Sequence, residues 1–434
     1  MQLSAKAILG DLGLNIGLKV FGLFIGLYQL YWLNSFASSG QYAEYNLAGS
    51  SIAVLGLFAG FGIYTVLQKQ LTNKTDTKVQ ESIWSSLFLL RLITVVVGLF
   101  LAVCIGIFDS HVSILLAVLL FLQTAVILVD YNYFAIYAVR GDVWKFSSTD
   151  LVGKLIALIL LVLFPFTPFQ GSPILYFVII QILSGLVSLS LDVIINQSRI
   201  IWGRVDFKLL KSLAPNLFLI AFSGLMLGLY QLTQPKILEY FGKSNEVING
   251  FAQAFLLINQ AALTVGILNT QIASNIKQNF DQTESKAVRL RYFWKNIIGY
   301  LGVLTFGYLA LLLLGPIVLH SVDSANKYTD ISIPLIPILG IFVITSSLSG
   351  LLSYLNIFFH RERNQLYSTA ILLLLTIFGV YYAVPNYGVI GLATVIVLVS
   401  VIDVLLLRLP VTLREISKEN KLPRQDQHAR SKSV

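Results

Sequence analysis

The chain has 434 residues, is 56% hydrophobic and only 12% charged, whereas a soluble globular domain carries about a quarter charged residues. Its net charge of +9 comes from short segments between apolar runs, and this arrangement excludes a soluble nucleic-acid-binding protein. A single cysteine, Cys104, and four scattered histidines exclude a disulfide framework and a metal site built from His and Cys.

The apolar runs predict about twelve transmembrane helices, because about 20 mostly apolar residues cross the hydrocarbon core of a bilayer. In chain order they lie near 12–36, 45–67, 83–108, 112–137, 146–166, 174–194, 214–233, 247–274, 294–319, 331–358, 365–384 and 389–409. The first run is too long for a signal peptide and predicts a retained helix. The predicted fold class is therefore an all-α polytopic membrane protein.

Basic residues alternate between the two sides of these predicted helices. Of the 30 Lys and Arg residues, roughly 24 fall on one side, and only Lys236, Lys243 and Lys327 fall on the other. The positive-inside rule predicts that the basic side is cytoplasmic and that both termini lie there.

The helices are predicted to form two six-helix lobes, residues 1–205 and 206–410, followed by a basic cytoplasmic tail at 411–434 that contacts lipid headgroups. Residues 33–41 resemble residues 238–246, and each stretch is expected to join the first and second helices of its half. Six helices in each half give both halves the same orientation, so the predicted repeat is parallel.

Four short segments resemble those of a known family. Residues 39–45 (SGQYAEY) resemble the LGPxxYG turn of polysaccharide exporters, although Ser-Ser-Gly-Gln stands where Leu-Gly-Pro is usual. Residues 210–216 (LKSLAPN) and 250–254 (GFAQA) are similar to further segments of these proteins, and 131–154 is similar to their loop between helices four and five. The chain thus resembles the Wzx-type oligosaccharide flippases, in the MOP superfamily that also holds the MATE-type multidrug exporters and the lipid II flippase.

This resemblance implies a flippase that carries a polyprenyl-pyrophosphate-linked oligosaccharide to the outer leaflet of a bacterial inner membrane. The product would serve the assembly of surface polysaccharide such as O-antigen, capsule or exopolysaccharide. The expected partners are the glycan carrier, membrane lipids and other polysaccharide-assembly membrane proteins, without nucleic acid. No GxxxxGK[ST] phosphate-binding loop occurs in the sequence, and no cofactor is expected.

Charged side chains within the predicted helices are candidate site residues, because each costs about 2.5–3.5 kcal/mol near the bilayer centre. Lys19, Arg91 and Lys154 lie at a similar predicted depth, and the family resemblance implies that they bind the pyrophosphate. Asp130 falls in nearly the same layer and is expected to be a counter-ion. The alternative is structural pairing, in which Asp130 neutralises Arg91 or Lys154, or Asp150 holds Lys154 one turn away.

Polar side chains on the first and eighth helices are further candidates for substrate binding. Asn15 shares a helical face with Lys19, Gly22, Gly26 and Gln29, which is a stripe suited to a water-filled cavity. The amides of Gln253 and Gln260 can bind sugar hydroxyls, because an amide donates and accepts hydrogen bonds at once. Equally, they can join neighbouring helices, at about 0.6 kcal/mol for each bond.

Other classes of protein fit less well. A cation-coupled multidrug exporter of the same architecture is the main alternative, but it is expected to have a membrane-embedded acid where the first helix carries Lys19. A major facilitator transporter usually has a Gly-x-x-x-Asp-Arg pattern after its second helix, which 68–82 lacks. A membrane enzyme needs a cluster of catalytic side chains on an external loop, and only isolated residues such as Asp109 and His111 occur there.

Overall fold

The computed structural model describes residues 5–60, 62–73, 77–109, 112–140, 142–196, 203–231, 233–283, 285–323, 326–359 and 361–418. In these ranges the chain is all-helical. The α-helices are α1 (Ala5–Phe36), α2 (Ser39–Gly60), α3 (Ile63–Asn73), α4 (Thr77–Phe108), α5 (Ile114–Arg140), α6 (Val143–Val162), α7 (Pro173–Asn196), α8 (Phe207–Gln231), α9 (Gln234–Tyr240), α10 (Asn245–Gln282), α11 (Lys286–Val322), α12 (Thr329–Ser332), α13 (Ile336–Phe358), α14 (Glu362–Ile402) and α15 (Leu409–Ile416).

Among the described residues, eight helical segments are long and apolar enough to cross a membrane, judged by length and composition. The last of them, Glu362–Ile416, is divided at Gly388, where φ is 57° and the helical backbone is interrupted. With α1, α6 and α10, the chain makes about twelve passes. The prediction of an all-α polytopic membrane protein is thereby confirmed.

Breaks in the helices occur where glycine or proline alters the backbone. The second pass is split into α2 and α3 near Gly62, whose φ of 61° favours glycine. The fifth pass ends at Val162, ahead of the short 3-10 turn Phe164–Phe166 that contains Pro165. The twelfth pass contains a π-helical segment, Asp403–Arg408, which joins α14 to α15.

Helix packing is mostly local to each half of the chain. In the first half α1 packs on α6, α2 on α5, and α5 on α7; in the second half α10 packs on α13, and α13 on α14. Trp32 of α1 is buried and donates a 3.1 Å hydrogen bond from Nε1 to the carbonyl of Leu161 on α6. Helix α8 packs on both α2 and α14, so the boundary at 205/206 stays a prediction.

Two details of the predicted organisation can be placed in the structure. The stretch at 238–246 begins in the last turn of the short helix α9 and reaches the start of α10, so it lies between the first and second passes of its half. The predicted tail at 411–434 begins inside α15, and the residues after 418 lie outside the described part of the chain.

Candidate functional site

Lys19 of α1 and Lys154 of α6 share one carboxylate. Their ammonium Nζ atoms each lie 3.0 Å from Oδ2 of Asp150. Asp150 stands four residues before Lys154 on α6, so the two side chains meet on one helical face, and the packing of α1 on α6 adds Lys19. We name these three residues the lysine cluster; with both lysines and the carboxylate ionised, it has one net positive charge.

The lysine cluster is partly accessible. The exposed fractions of the side chains are 18% for Lys19, 29% for Asp150 and 33% for Lys154. Gly22 faces the cluster from α1, since a Cβ there would lie 3.5 Å from Nζ of Lys154. Charged groups at membrane depth almost always face the interior of a helix bundle or a water-filled cavity. The cluster is therefore placed where an anion could reach it and replace a lysine–carboxylate contact.

Aromatic rings lie beside the lysine cluster. Nζ of Lys19 is 5.9 Å from the ring centroid of Phe146, which is itself 6.1 Å from the ring of Tyr131 and 4.8 Å from that of Phe134. The ring of Tyr131 is in turn 6.1 Å from that of Tyr64 on α3. The sequence did not single out these rings as a group, because an aromatic residue in an apolar helix looks like ordinary core.

Arg91 has a different environment from the two lysines. Its side chain is buried, and Nη1 donates to the carbonyl oxygens of Ala59 at 3.0 Å and Gly60 at 2.8 Å. Both Nε and Nη2 lie 3.4 Å from Oδ1 of Asn132. The carbonyls at the end of a helix lack intrahelical partners, and the break in the second pass places such an end here. Arg91 therefore caps α2, and its hydrogen bonds go to α2 and Asn132 instead of to the lysine cluster.

Asp130, the expected counter-ion, lies against another acid. It accepts a 3.1 Å hydrogen bond from Ser188 of α7, and its carboxyl group interacts electrostatically with that of Asp192, one turn further along α7. The structure gives the counter-ion role beside Lys19 and Lys154 to Asp150 instead. The reason is helix orientation: Asp150 shares a face of α6 with Lys154, whereas Asp130 points from α5 towards α7.

Gln253 belongs to a hydrogen-bonded seam between the halves. It is fully buried, and its Nε2 donates a 2.8 Å hydrogen bond to Oδ1 of Asn34 on α1. One turn earlier on α10, Asn249 accepts a 3.0 Å bond from Asn46 of α2 and donates a 2.9 Å bond to the carbonyl of Ser39. These residues form what we call the amide seam. Gln253 thus joins α10 to α1, which is the structural alternative to binding of sugar hydroxyls.

The two remaining candidates are only partly described. Gln260 lies about two turns beyond Gln253 on α10 and is half-buried. The side chain of Asn15 lies outside the described part of the structure, although its backbone belongs to α1. Binding of substrate by any of these residues stays a prediction.

In fold, and along its length, the chain resembles MATE transporters of the MOP superfamily. It is similar to the MATE transporter VcmN of Vibrio cholerae, with a TM-score of 0.69, 14% identity and coverage of 99% of this chain and 98% of that one. It is also similar to a MOP superfamily transporter of Pyrococcus furiosus, with a TM-score of 0.70, 13% identity and coverage of 95% and 97%. A multidrug resistance MATE family transporter in an outward-facing conformation gives a TM-score of 0.69 at 14% identity, with coverage of 95% and 96%.

No protein-family model and no curated protein matches the sequence. At 13–14% identity these likenesses show the fold of a multi-pass membrane protein. The finer placement among Wzx-type flippases, suggested by the short segments, stays a prediction.

Proposed function

We propose that the chain is a flippase that moves a polyprenyl-pyrophosphate-linked oligosaccharide across a membrane by alternating access. The observation that carries this proposal is the lysine cluster, in which Lys19 and Lys154 share the single carboxylate of Asp150 at membrane depth. A pyrophosphate taken out of water requires charge-assisted donors, and each ammonium group supplies up to three. An incoming anion would find two cations that one carboxylate neutralises only in part.

The surroundings of the cluster suit a glycan carrier. The rings of Tyr64, Tyr131 and Phe146 offer apolar surfaces beside the cations, and binding sites combine such surfaces with few polar groups. The lipid tail would stay in the bilayer while the glycan and pyrophosphate occupy a cavity between the lobes predicted at 1–205 and 206–410. With the termini in the cytoplasm of a bacterial cell, an inside-negative potential favours outward movement of an anion by about 2.3 kcal/mol per charge per 100 mV.

A second candidate function is cation-coupled export of drugs. It is favoured by the likeness to a multidrug resistance MATE family transporter and by the buried acids Asp130 and Asp192. Against it stands Lys19, because a cation on the first helix repels a cationic drug. The polarity of the pocket differs within this fold: the Pyrococcus furiosus structure is described as having a binding pocket of reverse polarity that suggests a different function.

The test compares ligands on the purified chain in lipid nanodiscs. Binding of a polyprenyl pyrophosphate and of ethidium would be measured for the wild type, Lys19→Gln, Lys154→Gln and a matched control, Lys145→Gln. Lys145 lies on the same helix α6 but pairs with Asp142 at 2.7 Å, outside the cluster. Loss of a charge-assisted hydrogen bond costs about 1.5–3 kcal/mol, so the two cluster variants should bind the pyrophosphate lipid roughly 10- to 100-fold more weakly.

The control should bind as the wild type does, and inorganic pyrophosphate should compete with the lipid. Transport would then be measured as flipping of the same lipid in proteoliposomes, with and without an imposed potential. Saturable ethidium binding that is insensitive to pyrophosphate, together with unchanged lipid binding by Lys19→Gln, would favour the drug exporter.

A further inference from the structure

Two buried carboxyl groups face each other between α5 and α7, apart from the lysine cluster. Asp130 has an exposed fraction of 7% and Asp192 of 0%. Asp130 accepts a hydrogen bond from Ser188, which stands one turn before Asp192 on α7, and the two carboxyl groups are close enough to interact electrostatically. Oδ1 of Asp130 and Oδ2 of Asp192 have no hydrogen-bond donor within the described part of the chain. A buried polar atom without a partner is rare in native proteins, so these two oxygens indicate a missing donor between them.

The other oxygens of the pair are already supplied with donors. Oδ2 of Asp130 accepts from the hydroxyl of Ser188 at 3.1 Å. Oδ1 of Asp192 accepts from the hydroxyls of Tyr137 at 2.9 Å and Thr149 at 3.0 Å, and Tyr137 accepts in turn from Asn196 at 2.7 Å. The network thus stabilises negative charge on Oδ2 of Asp130 and Oδ1 of Asp192, which we call the outer oxygens. It leaves Oδ1 of Asp130 and Oδ2 of Asp192, the inner oxygens, without donors in the described part of the chain.

Within the described residues, no Lys or Arg forms an ion pair with either acid. Lys19 and Lys154 are held by Asp150, and the guanidinium of Arg91 is held by the carbonyls at the end of α2 and by Asn132. The titratable groups that face the pair are Tyr131, Tyr133 and Tyr137 of α5 and Asp150 of α6. None of them supplies a positive charge.

We propose that Asp130 and Asp192 form a proton-binding site in which the two carboxyl groups share a single proton. Two neighbouring carboxyl groups in a buried site without a cation are not both ionised, and one proton between the inner oxygens supplies the missing donor. A metal cation fits less well, because it would require more oxygen ligands than the two unpartnered carboxylate oxygens provide. Release of the proton would leave two adjacent anions and drive α5 and α7 apart.

The proton-binding site is connected to the lysine cluster through α6. Thr149 donates to Asp192, and the next residue, Asp150, holds Lys19 and Lys154. With one shared proton, the three acids and two lysines are neutral in sum; without it, their sum is one negative charge. Loading of the proton therefore favours binding of an anion at the lysines, and this linkage, unlike the site itself, rests on the proposed function.

Infrared spectroscopy of the purified, ligand-free protein tests the site directly. The wild type at neutral pH should show the C=O stretch of a protonated carboxyl, shifted in heavy water. The band should be absent in Asp130→Asn and in Asp192→Asn, and it should persist in the control Asp142→Asn. Absence of the band in the wild type, or its persistence in both variants of the pair, would overturn the proposal.

The pH dependence of the thermal unfolding temperature gives a second measurement. It can be made on the wild type alone, so it tests the proposal even if one variant folds poorly. The folded pair keeps a proton that the two acids lose at neutral pH in the unfolded chain, so stability should fall as pH rises. Asp130→Asn should flatten this dependence, because its amide supplies a permanent donor. Stabilisation of the wild type by sodium ions over choline at constant ionic strength would instead show a metal site and contradict the shared proton.

The linkage to the lysine cluster has a separate readout. In the wild type, affinity for pyrophosphate should weaken at least about fivefold between acidic and alkaline pH, within the usual range of coupling between sites. In Asp130→Asn the affinity should stay constant. If the wild-type affinity is constant with pH while the infrared band is present, the linkage is contradicted and the proton-binding site is supported. Failure of the linkage can therefore be distinguished from failure of the site.

Discussion

The fourth and sixth passes of the two halves accommodate buried acids in opposite ways. In the first half, Asp130 and Asp192 face each other without a cation in the described residues. In the second half, Nε of Arg408 lies 2.7 Å from both carboxylate oxygens of Asp403 on the twelfth pass and donates to them. The hydroxyl of Ser349 on the tenth pass also donates to this carboxylate. Both members of that ion pair are almost fully buried, at 2% exposure.

The backbone explains the pairing in the second half. Asp403 and Arg408 are five residues apart at the two ends of a π-helical segment, and i, i+5 is the hydrogen-bond spacing of a π-helix. The extra residue in that turn aligns the two side chains. A guanidinium is a permanent counter-ion, whereas a shared proton exchanges with water. The comparison indicates that the second half holds its buried charge fixed and the first half can change it.

The largest expected effect is at Asp403. Asp403→Asn should lower the free energy of unfolding by about 3–5 kcal/mol, because it leaves Arg408 buried without a counter-ion. The measurement is denaturant unfolding in detergent, and the matched control is the same substitution on the sixth pass, Asp192→Asn, which should cost far less. The double variant Asp403→Asn/Arg408→Met should recover most of the loss. Equal costs for the two single variants would remove the contrast between the halves.

Arg91 tests whether the first half also contains a fixed charge. Arg91→Lys should destabilise the protein by about 1.5–3 kcal/mol, because an ammonium cannot span the two carbonyls of α2 and Asn132 together. Affinity of the folded variant for pyrophosphate should match the wild type, and Lys19→Gln should show the reverse pattern of unchanged stability and weaker binding. Weaker binding by Arg91→Lys without a loss of stability would place this arginine in the substrate site.

The smallest effect concerns the amide seam that joins the halves. Asn46→Ala removes the hydrogen bond to Asn249. It should destabilise the state in which α2 and α10 are in contact by about 0.6 kcal/mol, which lowers the population of that state relative to the separated one about threefold. Hydrogen exchange at the facing ends of α2 and α10 measures this shift. The control is Asn386→Ala, since Asn386 donates to the carbonyl of Tyr382 on its own helix and, among the described residues, to no other helix. Identical exchange in both variants would show that the seam does not hold the halves together.

Much of the fold followed from hydropathy, whereas the sites did not. Apolar runs of about twenty residues predict where helices cross, and every predicted run overlaps a described helix. The pairing of Lys154 with Asp150 was among the alternatives, because four residues on a helix fix both side chains to one face. The contact with Lys19 depends on which face of α1 meets α6, and local spacing does not determine that orientation.

Two features depended on long-range geometry. The depth of Arg91 suggested a place beside the lysines, but depth carries no information on direction around the helix, and the free carbonyls of α2 arise only once the second pass breaks at Gly62. Asp130 and Asp192 are 62 positions apart in the sequence and on helices separated by α6. Their contact could be expected only from knowledge that α5 packs against α7.

Gly62 also lies at one end of a long uninterrupted helix, α2. Its left-handed backbone is packed against α8, where a Cβ on Gly62 would lie 2.5 Å from Cγ2 of Ile220. From this contact α2 extends 22 residues to Ser39, a lever arm of roughly 33 Å at 1.5 Å per residue. A tilt of about 10° around Gly62 therefore displaces the far end by roughly 6 Å, about twice the length of a hydrogen bond. A small rotation at this one glycine would therefore be enough to part α2 from α10 at the far end, while Gly62 keeps its contact with α8.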